Sequence, residues 1–216
     1  IAITDVNSVT GIVRAHSVAR DIKRLVKDRQ SKDLIGPPRP QNIKKPPSLS
    51  LNTIPRLVPG SKLQLIDGFE VTVLPKSRKG WGTLCRCLSK GRLRNNKGLC
   101  DLVISEIIEE LDEVVLLIHS PETPWNLKKS KLWLENSTLL KNRFNQDGID
   151  PKRFKNIIKL SKIIRGDLVA SAHPIMHHSK RRKLADVLTA IRLGKSVDQL
   201  GKNALPNAER RLRSYT

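Results

Sequence analysis

Residues 62–93, KLQLIDGFEVTVLPKSRKGWGTLCRCLSKGRL, carry the patterns that decide the fold class. Two β-rich runs, at 62–66 and 69–74, flank Asp67-Gly68, a dipeptide typical of β-hairpins. Residues 81–93 then follow a helical pattern, with basic residues between the apolar Leu84, Cys87 and Leu88. Two strands followed directly by a helix predict a mixed α/β arrangement.

The rest of the chain continues this alternation of strands and helices. Strands are expected at 1–3, 114–118 and 168–172, and helices at 11–29, 150–164 and 180–194, with a further acidic helix that begins at Ser105. Ser105 is a candidate N-cap for the acidic helix that it opens, and Gly166 is a stop signal after the helix at 150–164. The pattern predicts an α/β fold with largely parallel strands.

The stretch at 31–59 interrupts the alternation. It contains seven prolines, with Gly, Ser, Asn and Lys between them. Proline cannot donate a backbone hydrogen bond and breaks helices. We therefore expect an inserted, mobile loop here.

The charge is strongly positive and unevenly spread. Lys and Arg number 41 against 20 Asp and Glu, which gives a formal charge of +21 and a pI near 10.4. Residues 98–125 nevertheless hold seven acids and no Lys or Arg. An excess of this size favours nucleic-acid phosphate as the partner. Ordinary solvated helix faces are the alternative.

Cysteine usage and hydropathy indicate a cytoplasmic protein with no membrane partner. Cys85, Cys87 and Cys100 are an odd number and do not suggest a disulfide framework. Cys85 and Cys87 also lack the spacing and the second pair of a structural zinc site. The longest apolar run, at 114–118, has the length of a strand and is far shorter than the ~18–20 residues of a membrane span.

Three segments share one resemblance. Residues 2–16 contain AITD followed by GIVRAH, residues 67–92 read DGFEVTVLPKSRKGWGTLCRCLSKGR, and residues 184–213 read LADVLTAIRLGKSVDQLGKNALPNAERRLR. In this order they resemble the N-terminal polymerase-and-histidinol-phosphatase (PHP) region of bacterial error-prone DNA polymerases of the C family. The motifs TAIRLG and PNAER are closer to this branch than to the replicative alpha subunit.

The resemblance implies a domain organisation. Residues 1–178 would form a distorted β/α barrel of the PHP type, incomplete at its N-terminus, with the Pro-rich insertion at about 31–59. Residues 179–216 would form a helical link into the polymerase core, which would lie outside these residues.

The resemblance also implies an activity for the parent protein. It would be a DNA-directed DNA polymerase, a nucleotidyltransferase of translesion synthesis, damage-induced mutagenesis, DNA repair and DNA replication. Its core would use Mg²⁺, a DNA primer-template and deoxynucleotides, and it would meet other mutagenesis or replication proteins. No catalytic residue and no cofactor is expected within this fragment, which would be inactive alone.

Metal-binding PHP members cluster His, Asp and Glu at strand ends, where metal ions activate water for phosphoester cleavage. The matching positions here are degenerate: Asp5, Val6, Lys62, His173, His177 and His178. Val6 offers no ligand, and Lys62 adds repulsion as well as removing a bond. His177 and His178 are adjacent, so their side chains diverge on a strand or a helix. We expect no bound metal.

Four consecutive basic residues begin the last predicted helix. Lys180, Arg181, Arg182 and Lys183 lie where the helix dipole disfavours positive charge, so an external anion would relieve the conflict. We expect them to contact the DNA backbone, although long basic side chains also pack over apolar surface.

Two other functions remain open from the sequence. An active metal-dependent PHP phosphoesterase or exonuclease would need intact ligands. A free-standing basic nucleic-acid-binding protein would explain the charge but not the three ordered segments. It would also have few stacking platforms for single strands, since aromatic residues make up only 3% of the chain.

Overall fold

The computed structural model describes residues 1–35, 51, 54, 56–119, 139–143, 148–164 and 167–213. It divides into two compact units, Ile1–Val115 and Leu116–Thr216. Each unit combines β-strands with helices, so the mixed α/β class predicted from the sequence is confirmed.

The first unit is built around three neighbouring strands. Its elements in chain order are β1 (Ala2–Val6), α1 (Thr10–Ile35), β2 (Val58–Gln64), β3 (Glu70–Pro75), α2 (Arg78–Leu93) and α3 (Ile104–Glu110). β1 runs parallel to β2, and β2 runs antiparallel to β3. Parallel neighbours need a long crossover connection, and α1 forms most of the described part of that crossover.

The loop predicted at 31–59 extends too far at both ends. α1 continues through Ile35, and β2 begins at Val58, where Pro59 pairs with Ile3. The loop prediction is therefore wrong for 31–35 and for 58–59. Most of the predicted insertion lies outside the described residues, so its predicted mobility stays a prediction.

The hairpin predicted at Asp67-Gly68 is confirmed, with one residue more in its loop than the shortest type. The Gly68 N–H donates to the Leu65 carbonyl at 2.9 Å, and Gly68 adopts a φ of +81°. The Leu65 N–H then donates to the Phe69 carbonyl at 2.9 Å, which closes the ladder. This is a turn followed by a left-handed residue, a conformation that costs glycine least.

The core of the first unit lies between the hairpin and the two helices that follow it. Its buried side chains come from the hairpin (Leu63, Leu65, Val71, Val73), from α2 (Leu84, Cys87, Leu88) and from the α3 region (Leu102, Ile107). α2 is capped by Ser77, whose Oγ accepts from the Gly80 N–H at 3.2 Å. The predicted cap at Ser105 is wrong, because α3 begins one residue earlier and Val103 precedes it without a side-chain cap.

The second unit also contains parallel strands. Its elements are most of β4 (Val114–His119), β5 (Leu139–Arg143), α4 (Asp150–Ile164), β6 (Asp167–Ser171) and α5 (Arg182–Leu193). Short 3-10 helices occupy Ser179–Arg181, Val197–Gln199 and Gly201–Asn203. β5 pairs in parallel with both β4 and β6. The strand predicted at 168–172 is present one residue earlier, and Gly166 lies outside the described residues.

None of the helices in the described ranges is both long enough and apolar enough to span a bilayer.

Candidate functional site

Asp5 lies at the end of β1 and is bound to the start of α1. The Gly11 N–H donates to Asp5 Oδ2 at 2.6 Å, so this carboxylate satisfies a backbone donor in the first turn of the helix. A Cβ on Gly11 would lie 2.6 Å from the same oxygen. The residue that sequence comparison marks as a relic metal ligand therefore has a structural contact within the fold.

Val6 and Lys62 are partners on adjacent parallel strands. Val6 is half-exposed and offers no donor atom. The Lys62 Nζ donates to Glu70 Oε1 at 2.8 Å, and only 14% of the Lys62 side chain is exposed. The ammonium group is thus bound across the β2–β3 hairpin, at a position where a metal ligand would be expected.

The three histidines near the end of β6 have different surroundings. His173 has a φ of +43°, and its ring meets that of the buried His119 edge-to-face, with centroids 5.4 Å apart. Arg210 Nε donates to the His173 carbonyl at 3.3 Å, and its Nη2 lies 3.5 Å from His173 Nδ1. A cation therefore lies beside this ring. Sequence reasoning gave His119 no role and missed its contact with His173.

His178 caps the 3-10 helix that follows it. Its Nδ1 accepts from the Lys180 N–H at 3.1 Å, while His177 is exposed. In the described part of the chain, no three His, Cys, Asp or Glu side chains lie close enough together to hold a metal ion. The relic positions do not fit a PHP metal centre, because Val6 has no ligand atom and Lys62 places an ammonium group, held by Glu70, where a ligand would be needed.

The four basic residues at 180–183 fall into two classes. Lys180, Arg181 and Lys183 are exposed, and none makes a side-chain hydrogen bond or ion pair with the described residues. Arg182 is half-buried: its Nη2 donates to the Leu205 carbonyl at 2.6 Å, and its Nε lies 3.6 Å from Asp186 Oδ2. The run therefore offers three available cations and one that is used internally.

Arg182 and Asp186 together hold the backbone of Leu205. The Leu205 N–H donates to Asp186 Oδ1 at 3.0 Å, while its carbonyl accepts from Arg182. Further along, the Ile175 N–H donates to the Arg210 carbonyl at 2.9 Å, and the Leu212 N–H donates to the Met176 carbonyl at 3.0 Å. These contacts tie the segment after α5 to α5 itself and to the residues after β6.

The three cysteines are free thiols. Burial, followed by the nearby Glu110 carboxylate, raises the pKa of Cys87 to about 11. Burial also raises the pKa values of Cys85 and Cys100. Because the thiolate is the reactive form, these environments disfavour a nucleophilic or metal-binding role near neutral pH.

The chain as a whole is similar to a set of much longer proteins, although no protein-family model matches it. It is 31% identical over its full length to a protein of Ruegeria pomeroyi named error-prone DNA polymerase. It is also 31% identical, over 99% of its length, to a protein of Sinorhizobium medicae with the same name. The resemblance to error-prone DNA polymerases is confirmed.

The chain spans about one fifth of the length of these error-prone DNA polymerases, 20% of the first and 17% of the second. A third relative, from Rhizobium meliloti, is named error-prone DNA polymerase 1 and is 29% identical over 99% of this chain. Among solved structures, PsfC from Pseudomonas syringae aligns over 54% of the chain and 44% of its own, at 12% identity and a TM-score of 0.33. At that score the alignment says nothing about the fold.

Proposed function

We propose that the chain is the PHP-like part of an error-prone, template-directed DNA polymerase. The similarity over essentially its whole length to proteins of that name supports this. The parent protein would transfer nucleotides to a primer during translesion synthesis, with Mg²⁺ held by a core outside these residues. Residues 1–178 would form the PHP-type barrel, and residues 179–216 would link it to that core.

Within that polymerase, the part formed by this chain would be a structural platform without a catalytic metal. Three observations support this role. Asp5 caps α1, Lys62 is bound to Glu70, and His178 caps a 3-10 helix. Converting this site to phosphoester cleavage would require breaking contacts that the fold uses, and Val6 would still lack a ligand atom.

The coding sequence on either side of these residues tests the proposal. We expect the reading frame to continue past Thr216 for several times the length of the chain and to encode clustered carboxylates suited to binding Mg²⁺. A stop codon directly after Thr216, together with a start codon directly before Ile1, would contradict the proposal. That result would favour the free-standing basic nucleic-acid-binding protein.

The basic residues at 180–183 would hold the DNA backbone. Three of them, Lys180, Arg181 and Lys183, are exposed and have no described partner. Arg182 would instead stabilise the segment around Leu205, whose carbonyl accepts its hydrogen bond. Phosphate contacts carry no base information. We therefore expect this surface to contribute equally to binding of every DNA sequence.

A triple substitution tests this surface. Lys180→Gln, Arg181→Gln and Lys183→Gln together should make the slope of log K against log salt less negative by nearly 3, since each lost phosphate contact contributes about 0.9. The matched control replaces the exposed Lys23, Lys76 and Lys97 with Gln. Equal slopes in the two triple variants would place the DNA elsewhere.

A further inference from the structure

The helix α4 has one buried side and one cationic side. Arg153, Ile157 and Leu160 are almost fully buried. Lys152, Lys155, Lys159 and Lys162 are all exposed. At about 100° per residue these lysines fall within roughly 80° of arc, on the side away from the buried residues. We name these four residues the lysine stripe.

The charge of the lysine stripe is not neutralised within the described parts of the chain. The only acid in α4, Asp150, bonds to Arg153 Nη1 at 2.9 Å. None of the four ammonium groups makes an ion pair or hydrogen bond with the residues that the structure describes. Like charges three and four residues apart weaken a helix, and an external polyanion would reverse that effect.

The dimensions of the lysine stripe match a nucleic-acid backbone. Ten residues separate Lys152 from Lys162, which is about 15 Å along the helix axis. Phosphates on one strand of duplex DNA rise about 3.4 Å each along its axis, and the strand also winds around that axis, so a straight stripe of this length can meet only a few successive phosphates. Lysine suits this task, since it binds phosphate as a point charge and imposes no planar geometry.

Two other polyanions fit the stripe less well. Single-stranded nucleic acid is bound with several aromatic side chains on which successive bases stack, whereas the described part of α4 exposes one, Phe154, outside the stripe. An anionic membrane is bound by helices that insert an apolar face, but the apolar side of α4 is packed inside the unit, with Ile157 fully buried. Duplex DNA needs neither feature.

We propose that Lys152, Lys155, Lys159 and Lys162 form a contact surface for the phosphate backbone of duplex DNA. This surface is separate from the basic residues at 180–183, and the proposal rests on the proposed function in a DNA polymerase. It would bind without regard to base sequence.

The test compares two variants of the full chain with the unaltered protein. The first carries Lys152→Gln, Lys155→Gln, Lys159→Gln and Lys162→Gln. The control carries Lys23→Gln, Lys76→Gln, Lys97→Gln and Lys195→Gln, which removes the same charge from exposed positions elsewhere. Fluorescence anisotropy with a labelled DNA duplex gives K at several salt concentrations, and circular dichroism verifies that both variants are folded.

In the stripe variant, the slope of log K against log salt should become less negative by up to about 3.6. Between about 50 mM and 200 mM salt, the unaltered protein would then lose up to roughly 150-fold more affinity than the stripe variant. The slope of the control variant should change by less than one third of that amount. Equal slopes in the two variants would overturn the proposal. So would a stripe variant that keeps its DNA slope but stops binding vesicles of phosphatidylserine and phosphatidylcholine, because the partner would then be a membrane.

These outcomes can be told apart from a failure of the proposed function. An unchanged salt slope alongside a polymerase-encoding downstream sequence would remove the lysine stripe and leave the polymerase assignment. A reduced slope alongside a stop codon directly after Thr216 and a start codon directly before Ile1 would remove the polymerase assignment, and with it the premise of the proposal, although a DNA-binding surface would still have been measured.

Discussion

Replacing Arg182 should destabilise the protein, whereas replacing its basic neighbours should not. The Arg182 guanidinium donates to the partly buried Leu205 carbonyl, and a hydrogen bond from a charged group contributes about 1.5–3 kcal/mol. Its ion pair with Asp186 is partly exposed and adds less than about 1 kcal/mol. Removing a cation from the first turn of α5 returns about 0.3–1 kcal/mol through the helix dipole.

The balance for Arg182→Gln is a loss of about 2 kcal/mol from the free energy of unfolding. Arg181→Gln and Lys183→Gln lose no internal contact, so they should be neutral or raise stability by up to about 1 kcal/mol. Asp186→Asn keeps an acceptor for the Leu205 N–H but removes the ion pair. We expect it to cost less than about 1 kcal/mol.

Urea unfolding of the full chain measures these differences. With a slope of roughly 2 kcal/mol per molar urea, Arg182→Gln should lower the midpoint by about 1 M without changing the slope. A midpoint for Arg182→Gln that matches that of Arg181→Gln would show that the contact with Leu205 contributes nothing. Arg182 would then belong with the three exposed cations, and the triple variant proposed for DNA binding would have to become a quadruple one.

Three further predictions follow from the other contacts. Gly11→Ala should cost about 1–3 kcal/mol because its Cβ would displace the Asp5 carboxylate, whereas Gly82→Ala, which has room in α2, should gain about 0.5–1 kcal/mol. Thermal unfolding that ranks the two equally would contradict this. Elemental analysis after dialysis against Mn²⁺ or Zn²⁺ should find no stoichiometric metal, and two or three tightly held ions per chain would refute the role given to Lys62. The pKa of Cys87 is raised from 9.0 to about 11, so its contribution to stability is present below pH 9 and is lost as the pH rises through about 11. A Cys87→Ala variant whose stability falls just as steeply over this range would show that other groups cause the loss.

The elements that sequence reasoning predicted well have local signals. Asp67-Gly68 between two β-rich runs was enough for the hairpin, and Asp150-Pro151 was enough for the start of α4. The end of α1 was misjudged because the proline content of the whole stretch was weighed instead of its first breaker. Gly36-Pro37 is the first Gly-Pro pair after α1 begins. The residue before a proline is restricted from helical conformation. The helix accordingly continues to Ile35.

The contacts that sequence reasoning missed join residues distant in the chain. Arg182 meets Leu205 twenty-three positions later, and His119 meets His173 across more than fifty positions. The spacing of apolar and polar residues along the sequence gives no sign of contacts between residues so far apart. Asp5 illustrates a different limit: resemblance to a family marks it as a relic metal-ligand position, but only the three-dimensional structure reveals that its carboxylate caps α1. A lysine stripe is readable in the sequence, yet its availability depends on which side of α4 is buried.

The pairing of β1 with β2 has a consequence for the order in which the protein can fold during synthesis. Ala2 is aligned with Val58, fifty-six positions later. A ribosome adding roughly 5–20 residues per second needs about 3–11 seconds to make the intervening chain. Throughout that interval, β1 lacks the strand that it pairs with in the finished unit. The two neighbours of β2 therefore differ in how long they must wait for it: β3 (Glu70–Pro75) follows β2 within a few residues, whereas β1 has waited unpaired since its own synthesis.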